Sequence, residues 1–444
     1  MQDILSIVPL VAIIVFSCLA YGSIAPLPMT IVETLIGIML ICWLLEACKK
    51  RSALEKRGFW LPLALFLCTV IVQVLPFSLT TIRALSVSTY RIYEHCMPSA
   101  AMPASFTLSI YPDATITELY KAAAYAGLFF FIVNRITTKR QLDYLINTII
   151  LFGFCISIFG IIQRYAYSDR VYWFDLPHSA GSPFGPFFNR NNFAGYINMI
   201  IPLGLGYFLT DMQLAKRIIY GVAVGVMSLA LALSLSRGGI IVYLATFLFI
   251  FLALSLKKRF HQKSLFIFIW LIVMVCAFAV YLDIRVVGQR LATVFRKDSW
   301  AALGHGYLWL DCVRIWRDFP VFGTGLGTFG AISALYKTSP LQVFFSYAHN
   351  DYLQFLSEAG LAGCVCIAWF FGMYCVDVLR AWFRRHDTYV LCLVLGGSAS
   401  LFAMLAYSLL DFNLHIPANA ILFTVILGVV YRLAFLPSER VAVR

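Results

Sequence analysis

The chain has 444 residues, of which 61% are hydrophobic and only 12% are charged, with a formal net charge of +13. A soluble domain of average composition is about 25% charged, and a disordered or fibrous chain carries far fewer apolar residues. Unbroken apolar runs of about 20 residues, instead of short alternating segments, argue against a membrane barrel. The composition therefore predicts an all-α integral membrane protein.

About twelve apolar stretches are long enough to span a membrane, and we expect residues 1–444 to form a single polytopic membrane domain. The long segment 283–354 separates the ninth span from the tenth, and the apolar spacing in 307–319 predicts that it contains helices of its own. The predicted spans are 4–22, 30–48, 59–78, 117–134, 142–163, 191–210, 217–235, 239–256, 264–282, 355–379, 389–410 and 416–434.

Basic residues predict the orientation of these spans. Twenty of the 34 Lys and Arg residues follow even-numbered spans, and cytoplasmic loops are the ones enriched in such residues. Both termini are therefore expected in the cytoplasm, with the large loops 79–116, 164–190 and 283–354 outside. Eleven of the other 14 basic residues are arginines. Since arginine suits phosphate, the outer surface is expected to bind phosphorylated ligands; pairing with outer acidic residues or lipid headgroups is the alternative.

The distribution of polar residues favours an enzyme over a carrier. Transporters place ionisable groups or broken helices near the bilayer midplane, whereas acidic residues here, such as Glu33 and Glu358, lie near span ends. Only Cys96 and Cys312 of the twelve cysteines fall in outer segments, where they can pair in an oxidising compartment. No metal-ligand spacing and no D-x-D, H-E-x-x-H or G-x-S-x-G motif occurs. The formal G-x-G-x-x-G at 325–330 has no strand–helix context, and residues 318–323 are interpreted as a helix end and a turn.

The strongest outer motif is Ser346-Tyr347-Ala348-His349-Asn350-Asp351-Tyr352, where the long loop enters the tenth span. Histidine exchanges a proton near neutral pH, so His349 is a candidate general base at the membrane surface. Asp351 is a candidate to orient it. Alternatively, Asn350 or Asp351 caps the helix that follows, and both roles are compatible.

Two further outer turns place an arginine where a span begins. In Asn189-Arg190-Asn191-Asn192, the asparagines are suited to cap the sixth span, and a helix N-terminus with Arg190 favours an anion. Ser236-Arg237-Gly238-Gly239 predicts a tight turn that the two glycines permit. Arg237 has no acid nearby in sequence, so a ligand phosphate is a candidate counter-ion. A simple capped helix and a lipid headgroup contact are the respective alternatives.

These motifs resemble the O-antigen ligase/polymerase superfamily of bacterial envelope glycosyltransferases. The resemblance is carried by 189–196, 236–239, Trp309 with the Asp, Pro and Gly pattern of 318–325, and 348–352. The chain length and the single outer loop that bears a histidine look most like the O-antigen ligases. The resemblance implies a GT-C-like fold and transfer of polysaccharide from undecaprenyl pyrophosphate to a sugar hydroxyl of lipid A–core. The implied transfer inverts the anomeric centre and uses no metal, cofactor or nucleotide.

The resemblance also implies roles for individual residues. The family's catalytic histidine matches His349, and its turn arginine matches Arg237. A family arginine usually stands four residues before the tryptophan of the long loop, but here that position is His305, so Arg290 or Arg314 is expected to supply the second phosphate ligand. Arg190 is a further candidate for phosphate binding. The expected supporting residues are Asn191, His305, Asn350 and Asp351.

The implied setting is the bacterial inner membrane, with the active site on the periplasmic side. The expected partners are the undecaprenyl-pyrophosphate-linked glycan, the lipid A–core acceptor and membrane lipids, and no nucleic acid. The nearest alternatives are an O-antigen polymerase and a protein O-oligosaccharyltransferase. A flippase of lipid-linked glycans is the alternative from a different class. Glycan specificity, the acceptor sugar and the oligomeric state stay open at this stage.

Overall fold

The computed structural model describes residues 7–51, 53–96, 105–166, 170–172, 174–175, 182–281, 305–338 and 345–437. This part of the chain is almost entirely α-helical, as the sequence predicts. Its only paired strands are β1 (Arg170–Val171) and β2 (Phe174–Asp175), which form a short antiparallel hairpin. The prediction of an all-α integral membrane protein is confirmed.

Sixteen α-helices lie within the described residues. In chain order they are α1 (Val8–Leu19), α2 (Pro26–Lys50), α3 (Trp60–Val74), α4 (Leu79–Leu85), α5 (Val87–Cys96), α6 (Pro112–Arg135), α7 (Lys139–Ala166), α8 (Arg190–Phe208), α9 (Leu214–Leu233), α10 (Arg237–Ser255), α11 (His261–Tyr281), α12 (His305–Asp318), α13 (Phe329–Tyr336), α14 (Asp351–Arg384), α15 (Thr388–Tyr407) and α16 (Pro417–Ala434).

A helix occupies the position of every one of the twelve predicted spans. Nine helical segments in the described part are long and apolar enough to cross a membrane. Two of the other three, α1 and α3, are apolar but have only 12 and 15 residues. The third, α8, has 19 residues and includes the polar Asn192 and Asn198, both buried among other helices. The chain is therefore a multi-pass helical membrane protein.

The ends of some helices differ from the prediction. The tenth predicted span, 355–379, lies inside α14, which has 34 residues. At 1.5 Å per residue, such a helix is about 51 Å long and exceeds the roughly 30 Å of a bilayer's hydrocarbon core. The first predicted span, 4–22, ends earlier, because Tyr21, Gly22 and Ser23 all have positive φ and form a 3-10 turn.

The centre of the molecule consists of α8, α15 and α16. Every residue of α8 from position 192 to 207 is buried, and α16 is almost entirely buried. A helix that is buried all round must be covered by its neighbours, here including α6, α7, α9 and α10. The start of α8, the end of α15 and the start of α16 meet at one end of this core, and the outer motifs lie there.

The segment predicted to be helical at 307–319 lies in α12, which packs against α14 and the loop before it. Leu308, Cys312 and Ile315 form a small apolar core with Phe329 and Ala348. Cys312 is a free thiol that is 1% exposed, and burial raises its pKa. The structure therefore does not show the Cys96–Cys312 disulfide that the sequence allows; the side chain of Cys96 itself lies outside the described residues.

The α14 helix is broken at Gly360, which has a φ of 61° and a ψ of −169°. The loop before α13 fills this break: the N–H groups of Leu361 and Ala362 donate to the carbonyl groups of Pro320 and Val321, both at 2.9 Å. Backbone groups freed inside a membrane protein need such partners. As interpreted from the sequence, α12 ends at Asp318 and the glycine motif that follows forms turns.

Candidate active site

His349 lies in the turn that leads into α14, and its backbone is in the left-handed region, with a φ of 51°. For a residue with a Cβ, this conformation costs about 1–2 kcal/mol and persists where the surrounding structure fixes it. The next residue, Asn350, caps α14: its Oδ1 accepts from the N–H of Leu353 at 3.0 Å, and its Nδ2 donates to the carbonyl of Leu409 at 3.1 Å. The turn is thereby held against the segment after α15.

The carboxylate that faces His349 belongs to Asp411. The two side chains meet at 3.0 Å between Nδ1 of His349 and Oδ1 of Asp411. The Asp411 side chain is 4% exposed, whereas that of His349 is 26% exposed. When Nδ1–H donates to a carboxylate, Nε2 becomes the basic nitrogen of the neutral ring. The imidazole therefore has the orienting contact that a general base requires.

The expectation that Asp351 orients His349 is wrong in this structure. Asp351 instead lies 2.6 Å from Nδ1 of His415, measured from its Oδ1, and its Oδ2 accepts from the N–H of Leu414 at 3.1 Å. The reason is local geometry. His349 lies outside the helix with a left-handed backbone, and Asp351 is the first helical residue, so the two side chains face different neighbours.

Asp411 also connects His349 to the two other outer motifs. Its Oδ2 accepts from Nδ2 of Asn191 at 2.9 Å, and Oδ1 of Asn191 accepts from the hydroxyl of Ser236 at 2.8 Å. Because that hydroxyl proton is already donated, Tyr407 donates its own to Ser236 across 2.7 Å. We call His349, Asp411, Asn191, Ser236 and Tyr407 the His349 network. It joins motifs that lie more than 100 residues apart in the sequence.

The N-termini of three helices converge on this network. Asn189, Ser236 and Asn350 cap α8, α10 and α14 through their side chains. A fourth helix, α16, begins at Pro417, directly after the turn that contains Asp411. The start of a helix carries partial positive charge and unpaired N–H groups, which favour an anion.

Arg190 and Arg237 are the first residues of α8 and α10, and the Ser236–Asn191 hydrogen bond joins their neighbours. The Arg237 side chain is exposed and that of Arg190 is partly exposed. Within the described residues, neither arginine forms an ion pair with a carboxylate. The structure thus places two arginines at the helix starts that the His349 network brings together.

The two glycines after Arg237 act differently from the prediction. The turn between α9 and α10 is made by Leu235, which has a φ of 58°, while Gly238 and Gly239 lie inside the first turn of α10. A Cβ on Gly239 would lie 2.7 Å from the Cβ of Ala194 in α8. The glycine is required because α8 and α10 approach each other closely at this point.

Of Arg314, His305 and Arg290, only Arg314 has a side chain that the structure describes, and it does not join the His349 network. Arg314 lies on the exposed face of α12, on a helix whose apolar face packs inward through Ile315. His305 is the first residue of α12, but its side chain lies outside the described residues, as does the whole of Arg290. Of the candidates for a second phosphate ligand, Arg190 is therefore the one that the structure places beside Arg237.

Aromatic rings form one wall of the site. Phe412 packs edge-on against the ring of His349, with centroids 4.8 Å apart, and stacks on Tyr347 at 4.5 Å. Burial raises the pKa of the Tyr347 hydroxyl. This wall gives the imidazole an apolar side and leaves the arginine-bearing helix starts as the charged part of the surroundings.

Sequence reasoning missed Asp411 and His415, which pair with residues 62 and 64 positions away. A signal was present: the short turn between the last two spans carries Asp411, Asn413 and His415 amid apolar sequence. A polar turn of that kind on the outer side indicates a site, although it does not reveal which residue faces which.

A comparison with protein families identifies part of the chain. Residues 222–368 match the model of a family described as O-antigen ligase. Among curated proteins, none matches the chain significantly. The matched region contains Arg237 and His349, whereas α8 and the Asp411 turn lie outside it. The match over residues 222–368 agrees with the resemblance seen in the motifs and supports an enzyme of the ligase or polymerase type.

Proposed function

We propose that the protein is an O-antigen ligase. It transfers polysaccharide from undecaprenyl pyrophosphate to a sugar hydroxyl of lipid A–core, with inversion of the anomeric centre and without a metal or nucleotide. The observation that carries this proposal is the His349 network, which brings one oriented imidazole together with two arginine-led helix starts. The family match over the region that holds His349 and Arg237 supports the same reaction class.

Arg237 and Arg190 bind the diphosphate of the donor. A hydrogen bond to a charged group contributes about 1.5–3 kcal/mol, and a helix N-terminus adds about 0.3–1 kcal/mol. Negative charge grows on the diphosphate as it departs, so these groups act most strongly in the transition state. Two guanidinium groups then account for roughly 10²–10⁴ in rate.

His349 is the general base. Its Nε2 takes the proton of the acceptor hydroxyl while the hydroxyl oxygen forms a bond to the anomeric carbon of the donor. The bond from that carbon to the diphosphate oxygen breaks, and its electron pair leaves with undecaprenyl pyrophosphate. Attack opposite the leaving group inverts the anomeric centre. Asp411 stabilises the imidazolium that forms, and the proton then passes to water or to the released diphosphate.

The setting of the reaction follows from the predicted orientation. The outer ends of α8, α10 and α14 face the periplasm, and both termini lie in the cytoplasm of a bacterial inner membrane. Both substrates are lipids, so they reach the site sideways from the outer leaflet. Tyr347 and Phe412 provide an aromatic surface against which a sugar of the acceptor packs beside His349.

An O-antigen polymerase is the second candidate, because the family match supports a ligase or polymerase type. The two reactions share the donor and differ only in the acceptor, which for a polymerase is another lipid-linked repeat. A protein acceptor would indicate an O-oligosaccharyltransferase. Movement of lipid-linked glycan without transfer would indicate a flippase.

The test is a reconstituted transfer assay with the purified full-length protein. Labelled glycan on undecaprenyl pyrophosphate is supplied without ATP, and lipid A–core and a second lipid-linked repeat are offered together. We expect label on lipid A–core. His349→Ala and Arg237→Ala are expected to remove most of the transfer, whereas His261→Ala and Arg384→Ala, exposed residues on loops predicted to be cytoplasmic, leave it unchanged.

Three results would overturn parts of this proposal. Label only on the second lipid-linked repeat would reassign the protein as a polymerase. Full transfer by His349→Ala would remove the base assignment, and full transfer by Arg237→Ala would remove the diphosphate clamp. No transfer to either acceptor, together with translocation of the intact donor, would replace the enzyme with a flippase.

A further inference from the structure

A second imidazole–carboxylate pair lies beside the His349 network and is not used by the proposed reaction. His415 and Asp351 meet at 2.6 Å, and their side chains are 20% and 7% exposed. His415 lies in the same turn as Asp411, and Asp351 follows His349 by two residues. The pair therefore joins the two segments of chain that carry the proposed base and its carboxylate partner.

One buried amide links this pair to the backbone of the His349 turn. Oε1 of Gln354 accepts from the N–H of Ala348, the residue before His349, at 2.9 Å. Nε2 of Gln354 lies 3.1 Å from Nε2 of His415 and 3.2 Å from a carboxylate oxygen of Glu358. Gln354 is 1% exposed and Ala348 is fully buried.

These contacts also fix the role of His415. Because the Ala348 N–H identifies the oxygen of the Gln354 amide, the amide nitrogen faces Nε2 of His415. Nδ1 of the same ring faces Asp351. Both ring nitrogens of His415 therefore contact protein groups. A histidine that exchanges a proton with a substrate needs one ring nitrogen facing that substrate.

The same chain of contacts reaches the break in α14. The Glu358 carboxylate, only 2% exposed as a residue, accepts from the N–H groups of Gly327 and Phe329 at 2.9 and 3.0 Å. The left-handed turn at His349 is therefore linked on one side to the glycine-rich loop 323–330, through Gln354 and Glu358. On the other side, Asp351 and His415 fasten it to the Asp411 turn.

We propose that His415, with Asp351 and Gln354, is a positioning residue for the transfer reaction. It holds the His349 turn and the Asp411 turn at the distance that lets Asp411 orient the imidazole, and it does not contact the reacting atoms. This inference rests on the proposed function, because it assigns His415 its effect through His349. A misplacement of a catalytic group by about 1 Å is enough to lower a rate on the order of 100-fold.

The test is a double-mutant cycle in the transfer assay. His415→Ala is expected to lower kcat by about 10- to 100-fold in the wild-type background, with little change in the KM for the donor. In the His349→Ala background the same substitution is expected to change kcat by less than about 2-fold, because the group that it positions is already absent. Arg237→Ala, in contrast, is expected to raise the KM for the donor as well as to lower kcat.

Two further variants keep the test decisive if His415→Ala does not fold. Gln354→Met removes the amide at similar volume and is expected to lower kcat, whereas His415→Asn keeps an N–H donor for Asp351 and is expected to retain a higher kcat than His415→Ala. An equal loss from the His415 substitution in both backgrounds, or no loss in Gln354→Met, would overturn the positioning role. Those outcomes leave the ligase assignment intact, whereas absence of transfer by the wild-type protein would overturn both the ligase assignment and the positioning role.

Discussion

At the scale of single residues, the site depends on a histidine held in a backbone conformation that few residues with a Cβ adopt. His349 has a φ of 51°, and hydrogen bonds on both sides hold it there: from Ala348 to Gln354 and from Asn350 to Leu409. The strain is confined to the residue whose side chain must face Asp411. This combination is what a pre-organised site requires.

The strain predicts an unusual order of stabilities. Both His349→Gly and His349→Ala remove the imidazole, but only glycine accepts the left-handed backbone without steric penalty. We expect the glycine variant to be the more stable by about 1 kcal/mol. Thermal unfolding of the two purified variants in one detergent measures this difference, and a more stable alanine variant would show that the turn relaxes when the ring is removed.

The Asp411–His349 contact predicts how the carboxylate contributes. Asp411→Asn keeps the volume but leaves one acceptor oxygen for two donors, Nδ1 of His349 and Nδ2 of Asn191, and it removes the charge that stabilises an imidazolium. We expect kcat for transfer to fall by up to about 10²–10⁴-fold, the range that a general base contributes. Asp211→Asn is the matched control, since Asp211 pairs with Lys263 at 2.9 Å in the loop after α8, away from the network. Equal activity of the Asp411 variant and the wild type would refute the orienting role.

The sequence was sufficient to identify His349, Arg237 and Asn191 as candidate site residues, because polar and charged residues at the outer ends of apolar spans have few structural roles besides helix capping. It could not pair them. Asp351 was the natural partner for His349 by proximity in sequence, yet the helix start between them separates their side chains. The actual partner, Asp411, comes from a turn that only the packing of α15 and α16 against α8 brings close.

At the scale of helices, the main departure from regularity is the break in α14. Hydropathy predicts one uninterrupted apolar span at 355–379, because the break replaces one set of backbone hydrogen bonds with another and changes no apolar residue. The signal in the sequence was the stretch 320–330, which is rich in glycine. Its carbonyl groups at Pro320 and Val321 and its N–H groups at Thr324 and Gly325 supply those bonds. Its spacing predicts turns but not the helix against which the turns pack.

The break predicts opposite effects of two glycine substitutions in α14. Gly360 has a positive φ, and a Cβ there would lie 2.4 Å from the carbonyl oxygen of Val321, whereas a Cβ on the helical Gly372 meets no atom within 4 Å. We expect Gly360→Ala to destabilise the protein by more than about 1 kcal/mol and Gly372→Ala to be neutral or slightly stabilising. Thermal melts of both variants decide this, and equal melting temperatures would contradict the rigid break.

At the scale of the whole molecule, hydropathy located all twelve helices that the structure places at the predicted spans. Hydropathy succeeded because lipid-facing apolar side chains need no hydrogen-bond partner, so the length of an apolar stretch alone identifies a membrane helix. The central helix α8 differs in composition, because it carries the buried Asn192 and Asn198 among its apolar residues. Helix starts and ends were less accurate, since capping and turns decide them locally.

The orientation predicts the behaviour of reporter fusions. Alkaline phosphatase is active only outside the cytoplasm, and we expect activity when it follows Lys337, before α14, but none when it follows Arg384, after α14. These two positions flank a single membrane crossing, so they form a matched pair. Activity at Arg384 with none at Lys337 would invert the topology and place the arginine-led helix starts in the cytoplasm.

The break at Gly360 has a mechanical consequence for the two arms of α14. One loop bonds to both arms: the N–H groups of Thr324 and Gly325 donate to carbonyl groups before the break, and those of Leu361 and Ala362 donate to Pro320 and Val321 after it. Because both arms are bonded to the same loop, the bend angle between them is fixed. A tilt of the long arm in a thinner or thicker bilayer therefore carries the His349 turn with it as one rigid body.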